Sequence, residues 1–106
     1  MTLLGLFGIF LLIVISISLA TIEAAFYLAK SQLNAGDRSG ALTSFDVFLA
    51  RYPASELLDD ALLDQGITLS EAGQVDRALQ TLARIPRELP ASPLAEEATL
   101  QVAEVL

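Results

Sequence analysis

The chain has 106 residues, with 13 Asp and Glu against 6 Lys and Arg, for a formal net charge of −7. That is enough for one small domain, and an acidic balance of this size argues against nucleic-acid binding, which needs clustered Lys and Arg. There is no Cys and no His, which removes disulfides, thiol chemistry, His-based catalysis, most zinc sites and a lipidated N-terminal cysteine.

From Leu3 to Ile22 no residue is charged, and fourteen of these twenty positions are Leu, Ile, Val or Phe. A run of about 20 apolar residues is the length that crosses a bilayer as a helix. A cleaved secretory signal starts basic and has an apolar core of about 7–15 residues. Here nothing basic precedes the run and the core is longer, although Ser18-Leu19-Ala20 has the small-x-small form of a cleavage site. The expectation is a retained transmembrane helix over residues 1–22, a single-pass anchor touching lipid through residues 3–22. Gly8, Ser16, Ala20 and Ala24 fall on one side of that helix, a small-residue stripe of the kind that lets helices pack closely in lipid. Lys30 and Arg38 follow the span and no basic residue precedes it, which weakly places the domain in the cytoplasm. An N-terminal apolar segment with a short head instead inserts like an uncleaved signal, and the repeat domain is expected on the periplasmic, extracytoplasmic side.

Residues 23–106 hold all the charge and read as a repeat. Pro53-Ala54-Ser55 and Pro90-Ala91-Ser92 are 37 positions apart, and the same offset pairs Asp59-Asp60-Ala61 with Glu96-Glu97-Ala98. Carried backwards, it pairs Gly73 with Gly36, Ala78 with Ala41, Leu82 with Phe45 and Ile85 with Phe48. The units are about 23–53, 54–90 and an incomplete 91–106. Periods of this size signify stacked supersecondary units, each unable to bury its apolar face alone.

Each unit is expected to be a pair of helices. In the first, a helix runs on from the leader through Glu23 to about Asn34, Asn34-Ala35-Gly36 turns, and Asp37 caps a helix from Arg38 to Tyr52. In the second, Ser55 is the expected N-cap, and Glu56, Asp59 and Asp60 fill a helix start, where carboxylates meet the positive dipole end. Leu58, Ala61, Leu62, Gln65, Leu69 and Ala72 recur at helical spacing, with Gln65 the exception, until Gly73 stops the helix. A second helix is expected from Val75 to Ile85, ended by Pro86 and Pro90. In the third, Ser92 is the expected N-cap and Pro93 stands in the first turn. Only one helix fits before Val105-Leu106, an apolar end that a stacked array must cap or cover.

These residues resemble the tetratricopeptide-repeat family. Gly66, Gly73, Ala78, Leu82 and Pro90 carry the likeness in one unit, and Ala29, Gly36, Ala41, Phe45 and Pro53 carry it in the unit before. The spacing is three residues longer than the family's usual ~34. The wording around Tyr52 to Gly66 looks most like bacterial envelope repeat proteins. The resemblance implies an all-α fold: an N-terminal transmembrane helix continuing into an α-solenoid of about two and a half helical hairpins.

In such arrays the first helices line a concave face. By register Glu23, Asp60 and Glu97 form one column, Phe26, Leu63 and Leu100 the next, and Lys30, Ile67 and Glu104 a third. An acidic column beside an apolar one suits a protein partner with basic and apolar side chains. The paired acids at 59–60 and 96–97 are read as helix starts rather than metal ligands, and no cofactor and no enzymatic activity are expected. The expected function is a membrane-anchored protein–protein interaction module that scaffolds or stabilises a larger membrane or envelope complex. Two rival readings stand: a single-span accessory subunit packed into an integral membrane complex, and a periplasmic chaperone-like adaptor for exported proteins.

Overall fold

A computed structural model describes residues 5, 6, 8, 9 and 24–106. Among the described residues all regular structure is helical. Helix α1 covers residues 24–34, and α2 (Arg38–Arg51), α3 (Leu58–Glu71), α4 (Val75–Glu88) and α5 (Ala95–Val105) follow in order. Sequential neighbours pack together, α2 on α3, α3 on α4 and α4 on α5, and α3 also touches α5.

The 37-residue offset is written into the backbone. Gly36 and Gly73 have φ of +80° and +82°, a left-handed conformation that costs a residue with a Cβ roughly 1–2 kcal/mol. Each closes its helix in the same way: Asp37 N donates to the Gln32 carbonyl at 2.8 Å, and Gln74 N to the Leu69 carbonyl at 2.9 Å. The residues that end the second helices match as well, Tyr52 at φ −129°, ψ 57° and Leu89 at φ −129°, ψ 56°.

Packing follows the same repeat. Phe26 and Ala29 of α1 meet Ala41, Phe45 and Phe48 of α2 and Ala61 of α3 in one core cluster. The Phe26 ring lies 5.8 Å from that of Phe48 and 6.5 Å from that of Phe45. One unit on, Leu58, Leu62, Ile85 and Ala98 form the next cluster. Ala61 and Ala98, one period apart, each seal the core of the preceding pair. Each large side chain buried here contributes roughly 1.5–3 kcal/mol. Where α3 crosses α4 there is no room for a side chain: a methyl group added at Gly66 would stand 2.5 Å from two carbons of Leu82.

Three sequence expectations need correction. Helix α3 begins at Leu58 and α5 at Ala95, three residues beyond the serines expected to cap them. Each serine builds a tighter turn first: Ser55 Oγ accepts from Leu57 N at 3.1 Å, Ser92 Oγ from Leu94 N at 3.0 Å, and their carbonyls accept from Leu58 N and Ala95 N. A Ser hydroxyl competes for nearby backbone N–H groups and favours such turns. Helix α4 does not stop at Ile85 but runs through Pro86 to Glu88. Proline removes one donor, and the ladder resumes behind it with Leu89 N on the Ile85 carbonyl at 2.8 Å. Finally, Phe26, placed by register on an open face, is only 5% exposed and belongs to the core.

The expected turn at 34–36 and the Asp37 cap do form: Asp37 Oδ1 accepts from Gly40 N at 2.9 Å, and α2 ends one residue short of Tyr52. Among the described residues no helix is long and apolar enough to cross a membrane. Most of the predicted span over residues 3–22, with Ser16 and Ala20 of its small-residue stripe and the junction into α1, lies outside the described residues. Gly8 is helical and half-buried, and Ala24 is exposed.

Candidate partner-binding face

The first helices of the units, α1, α3 and α5, are joined by polar contacts that bridge one unit to the next. Lys30 Nζ of α1 pairs with Asp64 Oδ2 of α3 at 2.7 Å, with the Asp64 side chain 23% exposed. The same ammonium sits 5.9 Å from the centre of the Phe26 ring, close enough for a cation–π contribution. At the start of α5, Ser92 Oγ donates to Asp59 Oδ2 at 2.6 Å.

Around Asp64 the face is acidic. Asp60 lies in the first turn of α3 beside Asp59, and Glu96 and Glu97 occupy the first turn of α5. Partial burial raises the Asp60 carboxyl above its ordinary range, and the negative charges of Asp59 and Asp64 add to the rise, against a lowering by Lys30. A cation arriving at Asp60 would relieve that repulsion. Beside the acids stand apolar side chains: Leu63 and Ile67 of α3 are half-buried, and Leu100 of α5 is 55% exposed.

Of the predicted face, Lys30 stands on α1, Asp60, Leu63 and Ile67 on α3, and Glu97 and Leu100 on α5; the Lys30–Asp64 pair ties the first two helices together. Phe26 supports this face from beneath rather than lining it. Glu23 lies outside the described residues. Among the described residues no group of three His, Cys, Asp or Glu side chains could hold a metal.

Sequence reasoning missed the polar joints between units. Besides Lys30–Asp64 and Ser92–Asp59, Gln65 Nε2 donates to Asp46 Oδ1 at 2.6 Å, and Arg77 Nη2 reaches the same oxygen at 3.4 Å. Arg38 pairs with Glu71 at 3.6 Å. Gln65, the polar exception on the α3 stripe, is 3% exposed and satisfied by Asp46. A signal was there. Lys30–Asp64, Arg38–Glu71 and Asp59–Ser92 are separated by 33 or 34 positions, one period less about one helical turn of 3.6 residues.

The model of one family, described as tetratricopeptide repeat, matches residues 23–55 and 60–92, more than half of the chain. No curated protein matches it.

Proposed function

The chain belongs to the tetratricopeptide-repeat family, and on that premise we propose that it is a membrane-anchored interaction module that scaffolds or stabilises a larger membrane or envelope complex. Repeats of this family generally mediate protein–protein interaction, typically without catalysis. The anchor is residues 1–22, whose uncharged apolar run has the length of a bilayer span. The repeats sit on the extracytoplasmic side, of a bacterial envelope, and grip a partner segment that offers basic and apolar side chains.

One observation carries the reading. Exposed Asp60 and Glu97 stand on adjacent first helices next to Leu63 and the exposed Leu100, with a carboxyl at Asp60 that its neighbours already crowd. Such a face gains most from a segment that neutralises the acids and covers the leucines together.

The test is copurification of the full-length tagged chain from its native membrane in mild detergent. Asp60→Lys with Glu97→Lys should lose the partner while helicity by circular dichroism stays unchanged, and undiminished copurification overturns the recognition face. Exchanging residues 1–22 for an unrelated span should leave the partner bound. Loss of the partner on that exchange, with the charge reversal silent, would establish the accessory-subunit reading instead. Resistance to alkaline extraction tests the anchor, and protease protection in sealed vesicles tests the orientation.

A further inference from the structure

Successive helices of the array run in opposite directions. Phe26 near the start of α1 meets Phe48 near the end of α2, and Gln32 near the end of α1 bonds Ser44 of α2. The helix ends therefore fall on two edges. One edge holds the turns at Gly36 and Gly73, linked through Arg38 and Glu71. The other holds the foot of α1 and the loops 52–57 and 89–94. Tyr52 and Leu57 pack into the Phe26 cluster near that foot, and Ser92 bonds Asp59 in the first turn of α3.

The second edge is held close to the end of the apolar run. That run ends at Ile22, and α1 is described from residue 24. Two residues span at most about 7 Å in any conformation. The glycine turns lie a further ~16 Å off, along the 11 residues of α1.

The surface of this edge suits such a position. The loop tips, Pro53-Ala54 and Pro90-Ala91, are exposed and uncharged. Their serines turn backbone donors inward: Ser55 N bonds the Tyr52 carbonyl at 3.1 Å and Ser92 N the Leu89 carbonyl at 3.0 Å, while the prolines bring no N–H. About one turn above the foot of α1, Tyr27 and Leu28 are 59% and 54% exposed, and tyrosine favours the level of lipid headgroups. Exposed Glu56 and Glu96 follow the two tips. Carboxylates there are repelled by an anionic surface and attracted by the ammonium of a zwitterionic headgroup.

We propose, on the anchor reading of residues 1–22 given above, that this edge rests on the lipid surface, with both loop tips and Tyr27 among zwitterionic headgroups of the phosphatidylethanolamine type. The array then stands edge-on to the membrane. Asp60 and Glu97 lie in the first turns of α3 and α5, within about two helical turns of the headgroups. They would meet a partner segment just as it leaves the bilayer.

The absence of cysteine permits single labels. Ala54→Cys and Ala91→Cys mark the edge near the lipid. Ala35→Cys and Ala72→Cys, also exposed and one period apart, mark the far edge. Each full-length chain carries an NBD fluorophore on its one thiol, in vesicles of phosphatidylethanolamine and phosphatidylcholine doped with a headgroup-nitroxide lipid. Quenching at positions 54 and 91 should exceed that at 35 and 72 by at least about twofold, since the far edge stands roughly 16 Å higher. Replacing the zwitterionic lipid by phosphatidylglycerol should reduce the quenching at 54 and 91. Equal quenching at the two edges, or stronger quenching at 35 and 72, overturns the proposal, and so does quenching that ignores lipid charge. Flotation of the same vesicles separates this orientation from the anchor. A chain that floats with the lipid but shows no edge preference keeps its anchor and loses the orientation; a chain that does not float loses both.

Discussion

Ser92 Oγ donates a 2.6 Å hydrogen bond to Asp59 Oδ2, across the joint between α3 and the loop that leads into α5. The carboxylate stands in the first turn of α3, where the helix dipole favours its charge. One side chain therefore serves its own helix and holds the next unit in register.

Removing this link should loosen the third unit first. Asp59→Ala is expected to lower stability by about 1–2 kcal/mol, from a partly exposed charge-assisted hydrogen bond and a lost dipole interaction. Ser92→Ala should cost a similar amount, because the same hydroxyl accepts from Leu94 N. In a double-mutant cycle by urea denaturation, the pair should show coupling of about 1 kcal/mol. Strict additivity would mean the bond does not hold the units together.

Gly66 and Leu82 form the tightest crossing. Gly66→Ala gains about 1 kcal/mol of helix propensity, yet the added methyl would stand 2.5 Å from the fully buried Leu82 side chain, which must shift within the core to admit it. Overpacking of this kind costs about 1–3 kcal/mol, so a net loss of stability is expected. Leu82→Ala alone should be destabilising by about 2–5 kcal/mol. Combined with Gly66→Ala it should lose less than the sum, because the methyl then fills part of the space vacated. A thermal melt of the four proteins checks the sign.

The two left-handed glycines should respond alike. Gly36→Ala and Gly73→Ala each force a Cβ into φ near +80°, and each is expected to destabilise by about 1–2 kcal/mol. Around both glycines the space is open, so the loss comes from the backbone and Asn should recover part of it. Unequal losses at the two sites would show that the units are not energetically equivalent.

Two carboxyl groups should pull stability in opposite directions as pH changes. The Asp60 pKa is raised, first by burial and then by Asp59 and Asp64. The folded state therefore holds that proton more firmly than the unfolded chain, and its unfavourable contribution is present above the folded pKa and relieved as pH falls through it. Glu88 is the reverse: hydrogen bonds first from Arg84 and then from Arg87 hold its carboxyl below the ordinary value. Its contribution is present above the unfolded pKa and lost as pH falls through the folded one. Asp60→Asn should thus raise the urea midpoint at about pH 7, and Glu88→Gln should lower it slightly. The Asp60 effect should fade first as pH falls through its raised pKa, and the Glu88 effect should persist to lower pH because its pKa is lowered.

The fold was legible because its signal is periodic. Small residues recur where helices cross, large ones where pairs interlock, and glycine where the chain must turn left-handed; these demands repeat every unit, so a single offset exposes them all. The face was less legible. Register placed Phe26, Leu63 and Leu100 in one column, but a column on paper does not say how deep each member lies. Phe26 falls inward because its ring meets both Phe45 and Phe48, whereas Leu100 of the same column is exposed. Helix limits were misjudged where two local preferences competed. Ser55 and Ser92 could cap a helix or close a turn, and Pro86 could end a helix or be carried in its last turn.

By itself the sequence determined the helical units, their spacing, their turns and the acidic, cysteine-free chemistry, since each depends on a residue and its near neighbours along the chain. Only the tertiary structure decided which columns face water and which polar side chains join one unit to the next. Those outcomes depend on how deeply helices sink into one another, and depth is fixed by side-chain volume on both partners at once.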